Sequence, residues 1–195
     1  MIREQFRADL KRLTALEMVH KYIVNSFCYA ITVDQHHQLK ECISRKFEVP
    51  YNDVVIVGSA KLGFSIKPEK RYMEFNDNSD IDVAIVSSEL FRRVWEDAYK
   101  FRQSRADWPK CDAFFRYLGF GWIRPDMLPP REFEFTRTWW DFFRKITASG
   151  QFGPYRIRGG LYYSWFFLEQ YQMICIDQCK KEELAVEDLS NKSSA

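Results

Sequence analysis

The spacing of apolar residues predicts that the first part of the chain is helical. From residue 2 to residue 30, apolar side chains recur every three or four positions, as one face of an amphipathic helix requires. Thr32 and Gln35 then have the spacing of a capping box, which predicts a second helix that ends before Pro50. We therefore expect residues 1–50 to form a helical segment packed on the rest of the protein.

Two short apolar runs interrupt the helical period and predict strands. Residues 53–57 are rich in β-branched side chains and end at Gly58, and residues 81–86 form the second run. Continuous apolar runs of this length are typical of strands that are buried on both faces. The segment between them, residues 59–79, is polar and rich in turn-forming residues, so it is predicted to be a loop-like excursion.

The second half of the chain returns to helical spacing, with two further strand-like segments. Helices are predicted at residues 88–98, 109–117, 136–146 and 162–181, and strands at residues 132–135 and 155–158. This order predicts the α/β (α+β) class, with a small mixed sheet flanked by helices. We expect residues 51–190 to form the main domain and residues 191–195 to be a frayed tail.

The composition of the chain says more about its cellular location than about its function. The net charge is only +2, so the charge of the whole molecule does not indicate a nucleic-acid partner. The cysteines number five, an odd and scattered set, which favours reduced thiols and a cytoplasmic location. The longest apolar runs are too short to cross a bilayer, so no membrane span is expected.

Two aspartates in the second predicted strand are the strongest candidates for chemistry. Asp80 and Asp82 are two residues apart, so a strand would project both carboxylates from one face. Carboxylates this close repel each other unless a cation lies between them. Mg²⁺ is commonly held by one or two carboxylates together with substrate phosphates. We therefore predict that Asp80 and Asp82 are catalytic residues that bind Mg²⁺ or Mn²⁺.

The end of the first predicted strand supplies candidates for holding phosphate. Gly58 allows a tight turn that brings backbone N–H groups close to phosphate oxygens, and the Ser59 hydroxyl can add a hydrogen bond. Lys61 follows two residues later and is predicted to contact the same phosphates as a point charge. Lys67, on the loop that follows, is the weaker candidate.

The order Gly58-Ser59, then Asp80-Ile81-Asp82, resembles the signature of the nucleotidyltransferase superfamily related to DNA polymerase β. In that family an apolar strand ends in Gly-Ser or Gly-Gly, and a second apolar strand carries Asp-x-Asp. The resemblance implies a nucleotidyltransferase fold, two Mg²⁺ ions and a nucleoside triphosphate (NTP) as donor. The spacer here is longer than is usual for the motif, and its extra residues are expected to form a hairpin or lid.

The resemblance also implies a third carboxylate on a later strand. The later predicted strand carries Arg156 and Arg158 instead, and these arginines either clamp phosphate or form a solvated strand face. Glu134, in the predicted strand 132–135, is the best substitute. Glu132 and Asp126 are the alternatives.

Several functions fit this reading. The first is nucleotide transfer to a protein, a nucleic-acid end or another nucleotide, in the manner of compact bacterial relatives in toxin–antitoxin systems and antiphage defence. The alternative is a catalytically degenerate nucleotide-binding protein that regulates a partner. The C-terminal half, dense in aromatic residues from Trp139 to Phe167, is predicted to supply core or an interface with another copy or a partner. The pair His36-His37 is interpreted as a helix surface rather than a metal site.

Overall fold

The computed structural model describes residues 2–104, 107–130 and 132–193, with side chains described as far as residue 186. The predicted N-terminal helix is broken into two. Helix α1 spans Ile2–Leu10, and helix α2 spans Ala15–Val19 and continues as a π-helical turn over His20–Val24. Thr14 and Glu17 form a capping box that starts α2, so a new helix begins after the break.

A buried acid near the end of α1 contacts the π-helical turn that follows α2. Asp9 is fully buried, and its carboxylate accepts hydrogen bonds from the Lys21 ammonium and from the Tyr22 hydroxyl at 2.7 Å. These contacts, with Lys21 the strongest, hold the pKa of Asp9 well below its usual range. The apolar period alone did not predict the break, because both helices keep the same spacing.

The remaining elements follow the predicted order, except that one predicted strand is absent from the described residues and two short elements, the helix Ser59–Leu62 and the strand Trp122–Ile123, were not predicted. Helix α3 spans Val33–Phe47 and begins with the predicted Thr32–Gln35 capping box. The predicted strand 132–135 is wrong, because Glu134 is the first residue of a helix. The further elements are β1 Val54–Val57, α4 Ser59–Leu62, β2 Asp80–Val86, α5 Ser88–Ser104, α6 Cys111–Leu118, β3 Trp122–Ile123, α7 Glu134–Ala148, β4 Arg156–Tyr162 and α8 Trp165–Ser193.

The strands form a mixed sheet in the order β1-β2-β4-β3. Strand β1 is antiparallel to β2, β2 is parallel to β4, and β3 is antiparallel to β4. This sheet with helices on both faces confirms the predicted α+β class. The order leaves one edge of β1 without a neighbouring strand in the part of the chain that is described.

Each face of the sheet buries its own apolar core. Ile81, Val83 and Ile85 of β2 pack with helices α3, α5 and α7 on one face, called the α7 face here. Ala84 and Val86 pack with α1, α2 and α8 on the other, the α8 face. Because side chains alternate along a strand, Asp80 and Asp82 belong to the α8 face. Both residues lie at the start of β2, at the partly exposed end of that core.

Helix α8 includes residues 191–193, part of the predicted frayed tail, whereas residues 194–195 lie outside the described residues. None of the helices in the described ranges combines the length and apolar character needed to cross a lipid bilayer.

Gly159 of β4 provides a test of the packing on the α7 face. A Cβ atom at this position would lie 2.4 Å from Cζ of Phe143 and 2.6 Å from Cζ2 of Trp139. Such overpacking forces buried rings from their positions, so Gly159→Ala is expected to lower the free energy of unfolding by about 1–3 kcal/mol. Urea unfolding measures this loss of stability. Gly119→Ala is the control, because Gly119 lies at an exposed helix end with φ −62°. The control is expected to change the free energy of unfolding by less than about 0.5 kcal/mol. Equal stability of the native chain and Gly159→Ala would contradict this packing.

Candidate functional site

Asp80 and Asp82 lie where three strands meet. In the register of the sheet, Asp82 is opposite Val57 of β1 on one side and Arg158 of β4 on the other, and Asp80 is opposite Arg156. Both aspartate side chains are partly buried. The site is therefore formed by the C-terminal end of β1 and the N-terminal ends of β2 and β4.

Gly58 forms a turn that only glycine adopts without strain. Its φ of +69° and ψ of −151° lie in a region that residues with a Cβ essentially avoid. A Cβ at this position would lie 3.5 Å from Oδ2 of Asp82, so the turn packs directly against that carboxylate. Ser59 then begins the short helix α4, whose Lys61 and Leu62 amides donate to the Gly58 carbonyl. The structure thus brings Gly58 against Asp82, with Ser59 next in the chain.

The charge of Asp82 is poorly compensated. Burial is the main cause that raises the pKa of its carboxyl above the usual 3.8, and the neighbouring charge of Asp80 adds to the rise. Lys67 and Arg158 act in the opposite direction but do not cancel it. A cation held between Asp80 and Asp82 would compensate this charge. The two carboxylates therefore fit one Mg²⁺, whose other ligands would be phosphate oxygens and water.

The two arginines of β4 take part in the site. Nε of Arg158 lies 3.3 Å from Oδ2 of Asp80, and Nε of Arg156 lies 3.9 Å from Oδ1. Their side chains are about half exposed or more, so they can turn from Asp80 toward a ligand. Of the two interpretations left by the sequence, these contacts favour groups of the site over a plain solvated strand face.

Glu134 is not brought to the aspartates. The Ile157 amide donates to Oγ1 of Thr147 at 3.0 Å, and Gly159 lies against Trp139, so α7 runs antiparallel to β4 on the α7 face. Glu134 is therefore on the opposite face of the sheet, about 20 Å along the helix axis from Thr147 at 1.5 Å per residue. Its alternation with apolar neighbours resembles a strand because Phe133, just before α7, is buried and Glu134, the first residue of α7, is exposed.

The alternative acids do not fill the third position either. Asp126 accepts hydrogen bonds from Lys110 and Arg124, and Glu132 is exposed just before α7. Within the described ranges, no group of three or more histidine, cysteine, aspartate or glutamate side chains could hold a metal. Asp80 and Asp82 thus suit a single ion. The described residues provide no further acid beside them for the second ion that the resemblance implies.

Lys61 also points away from the aspartates. Its side chain is 5% exposed, and its ammonium donates to the Ser26 carbonyl. It lines a cavity beside Val54–Ile56, at the edge of β1 that has no neighbouring strand, so β1 separates it from Asp82. The prediction for Lys61 rests only on its short distance from Gly58 along the chain. Helix α4 instead directs the Lys61 side chain to the other side of β1.

Lys67 is the lysine whose charge acts on Asp82. The excursion 59–79 folds back on itself: the Ser65 amide donates to the Met73 carbonyl at 2.9 Å, and the Tyr72 amide donates to the Ser65 carbonyl at 2.8 Å. This hairpin-like return presents Lys67 just before a 3₁₀ turn over Pro68–Lys70. The sequence has no periodic signal that predicts the position of Lys67, because the path of the loop depends on these backbone contacts.

The site thus combines a carboxylate pair, a glycine turn packed on one carboxylate, and three flexible cationic side chains: Lys67, Arg156 and Arg158. Such a set can bind one hard divalent cation and the phosphates that accompany it. Comparison of this chain with protein-family models, with curated proteins and with solved structures gives no match.

Proposed function

We propose that the protein transfers a nucleotide from a Mg²⁺-bound NTP to an acceptor at Asp80 and Asp82. The observation that carries the proposal is the contact between the Gly58 turn and the Asp82 carboxylate. A conformation that requires glycine stands against a partly buried carboxylate that lacks full compensation, and rare backbone conformations of this kind are frequent at functional sites. This combination is difficult to explain by stability alone.

The residues of the site would have distinct roles in the transfer. Asp80 and Asp82 would hold the ion, which supplies Lewis-acid polarisation of the phosphate oxygens. The turn at Gly58 and Ser59 would position the triphosphate, with Lys67 and Arg158 offsetting its charge. In the reaction, an acceptor oxygen forms a bond to the α-phosphorus, and the bond from that phosphorus to the bridging oxygen breaks. Pyrophosphate leaves, and the acceptor's proton passes to water.

A second candidate function is nucleotide binding without transfer. The observation that favours it is Arg158, which stands opposite Asp82 on the strand where the resemblance implies a third acid. A guanidinium can neither bind a metal ion nor accept a proton as a carboxylate does. A protein of this kind would regulate a partner through the nucleotide it holds.

Binding and turnover measured in parallel separate the two candidates. Each NTP is titrated into the pure chain with Mg²⁺ or Mn²⁺, and pyrophosphate release is followed in the presence of a cell extract as a pool of acceptors. Transfer predicts binding and release that are both lost in the double variant Asp80→Asn/Asp82→Asn. Binding without release, under every metal and NTP combination, supports the regulatory candidate, and no binding at all contradicts both.

The wider setting is also a proposal. The acceptor would be a protein, a nucleic-acid end or another nucleotide, and the protein would act in the cytoplasm, in antiphage defence or a toxin–antitoxin system. Exposed aromatic side chains support an interface with a partner or a second copy in the C-terminal half. Phe120 is 62% exposed, Phe166 is 60% exposed and Tyr163 is 42% exposed.

Lys67 and Lys61 are expected to differ in their effect on NTP binding. Lys67→Gln should raise the Kd for Mg²⁺-NTP about five- to tenfold, roughly 1–1.4 kcal/mol, because one charge near the phosphates is lost. Lys61→Met should leave that Kd within about twofold, because β1 separates Lys61 from the site. Calorimetric titration measures both, with the exposed Lys70→Gln as the matched control. A larger effect from Lys61 than from Lys67 would contradict the placement of the two lysines.

A further inference from the structure

A second concave site lies along the edge of β1 that has no neighbouring strand. The β1-edge cavity has a volume of about 280 Å³ and lies between the π-helical turn on one side and α3 on the other. Its polar lining consists of Ser26, His36, Lys40, Asn52 and Lys61, and Trp165 closes one wall. Three of these side chains are basic. Strand β1 separates the cavity from Asp82, so it is distinct from the candidate active site.

The ammonium of Lys61 is buried in this cavity without a carboxylate. Only 5% of the residue is exposed, and the ammonium donates to the Ser26 carbonyl. Of the described residues, the titratable groups that act on it are Cys28 and Lys40, and no carboxylate is among them. An ammonium has three hydrogen-bond donors, and a single carbonyl oxygen is weak compensation for a buried charge. Burial accordingly lowers the pKa of Lys61, and Lys40 adds to the fall.

The other two basic groups face the same space. Burial lowers the pKa of His36 to about 4, with the charges of Lys61 and Lys40 contributing. Burial also lowers the pKa of Lys40, whose ammonium lies 4.3 Å from the centre of the Tyr51 ring. The carboxylate whose charge acts on Lys40 is that of Asp53, which accepts a hydrogen bond from Nε1 of Trp165 at 2.9 Å.

The opposing groups around the cavity leave a positive excess. Asp53 is one carboxylate against two lysines. Near neutral pH both His36 and the Cys28 thiol are uncharged, because burial lowers the pKa of His36 and raises that of Cys28. Crowding of like charges in a partly buried space is unfavourable unless an anion joins them. The fold keeps this arrangement although an apolar residue at position 61 would avoid it.

We infer that the β1-edge cavity binds a phosphate group, either as free inorganic phosphate or as the end of a small phosphate monoester. Its volume is just below that of pockets for drug-sized ligands, which suits a compact anion. The Lys61 and Lys40 ammonium groups can donate to a tetrahedral dianion from different sides, and the Asn52 amide and a ring N–H of neutral His36 can add donors. This inference does not depend on the proposed nucleotide transfer.

Thermal unfolding of the full chain tests the inference with inorganic phosphate and adenosine monophosphate as probes. At 10 mM of a probe that binds, and at matched ionic strength, the Tm of the native chain is expected to rise by about 2–4 °C. Lys61→Met should lose this rise. In the absence of phosphate its Tm should equal or exceed that of the native chain, because a buried charge has been replaced by an apolar group of similar length.

Two control variants and a second cavity variant locate the effect. Lys46→Met removes an exposed lysine from the last turn of α3 and should keep the full rise in Tm. Arg158→Gln should also keep it, because Arg158 belongs to the other site. Lys40→Gln lines the cavity and should weaken the affinity about three- to tenfold, which preserves the test if Lys61→Met does not fold.

The two probes distinguish the sources of the phosphate group. A rise with inorganic phosphate assigns the cavity to the free ion, and a rise with adenosine monophosphate alone assigns it to a monoester. No rise with either probe in the native chain would overturn the inference. A rise that persists in Lys61→Met and Lys40→Gln but is lost in Arg158→Gln would also overturn it, because the anion would then lie beside Asp80.

Discussion

Replacement of Asp82 by asparagine is expected to abolish nucleotide transfer and to make the folded protein more stable. The carboxylate is partly buried beside Asp80, and burial raises its pKa above 3.8. Asparagine keeps the shape but removes the repelling charge, so the free energy of unfolding at pH 7 should increase. Loss of an ion ligand should reduce the transfer rate by about 10³-fold or more, which corresponds to roughly 4 kcal/mol of activation free energy.

The same pKa sets the pH dependence of this effect. Because the carboxyl is easier to protonate in the folded state than in the unfolded state, its charged form destabilises the fold. The destabilisation is fully present above the raised folded-state pKa and disappears as the pH falls through 3.8, the unfolded value. The stability advantage of Asp82→Asn should therefore be largest near neutral pH and vanish in acid.

Urea unfolding between pH 3 and pH 8, together with a transfer assay, measures both parts of this prediction. Asp77→Asn, on the exposed loop before β2, is the matched control and should change neither property. A variant that loses activity and stability together would indicate that Asp82 supports the fold rather than a ligand. Full activity in Asp82→Asn would remove Asp82 from the proposed site.

Gly58→Ala is expected to have the second largest effect, on both stability and nucleotide binding. The backbone at φ +69° and ψ −151° is strained for any residue with a Cβ, at about 1–3 kcal/mol. The added methyl group would meet Asp82 at 3.5 Å, an ordinary contact, so strain rather than a clash causes the loss. The turn relieves the strain by rotating its peptides, which moves the N–H groups away from the phosphates.

Gly150→Ala separates the strain of the backbone from the binding of nucleotide. Gly150 also has a positive φ, of +65°, but a Cβ there would meet no atom within 4 Å. Gly150→Ala should therefore lose about 1 kcal/mol of stability and keep the native Kd for Mg²⁺-NTP. Gly58→Ala should raise that Kd at least about tenfold, measured by calorimetry below the unfolding temperature. Equal Kd values for the two variants would show that the Gly58 turn does not hold the nucleotide.

Much of the fold could be predicted because local signals agreed with the tertiary structure. The β-branched run before Gly58 is β1, and the run after Ser79 is β2, since both are buried on two faces. The period of two along β2 placed Asp80 and Asp82 on one face. The Thr32–Gln35 capping box fixed the start of α3, because its hydrogen bonds are local.

The residues that complete the site could not be predicted, because their positions depend on pairing between distant segments. Arg158 meets Asp80 through the parallel pairing of β2 with β4, a register that the sequence does not encode locally. Glu134 was assigned to a strand from four residues, too few to distinguish a period of two from the first turn of a helix. Lys61 was assigned by chain distance, although α4 turns it to the far side of β1.

The most direct measurement compares two positions of the label in the NTP. The native chain, Mg²⁺ or Mn²⁺ and a cell extract are incubated with each NTP labelled at the α-phosphate or at the γ-phosphate, and the acceptor fraction is counted. Nucleotide transfer predicts stable label on the acceptor from the α-labelled NTP only, and none with Asp80→Asn/Asp82→Asn. Label from the γ-phosphate, or equal α-label with the double variant, would contradict nucleotide transfer at Asp80 and Asp82.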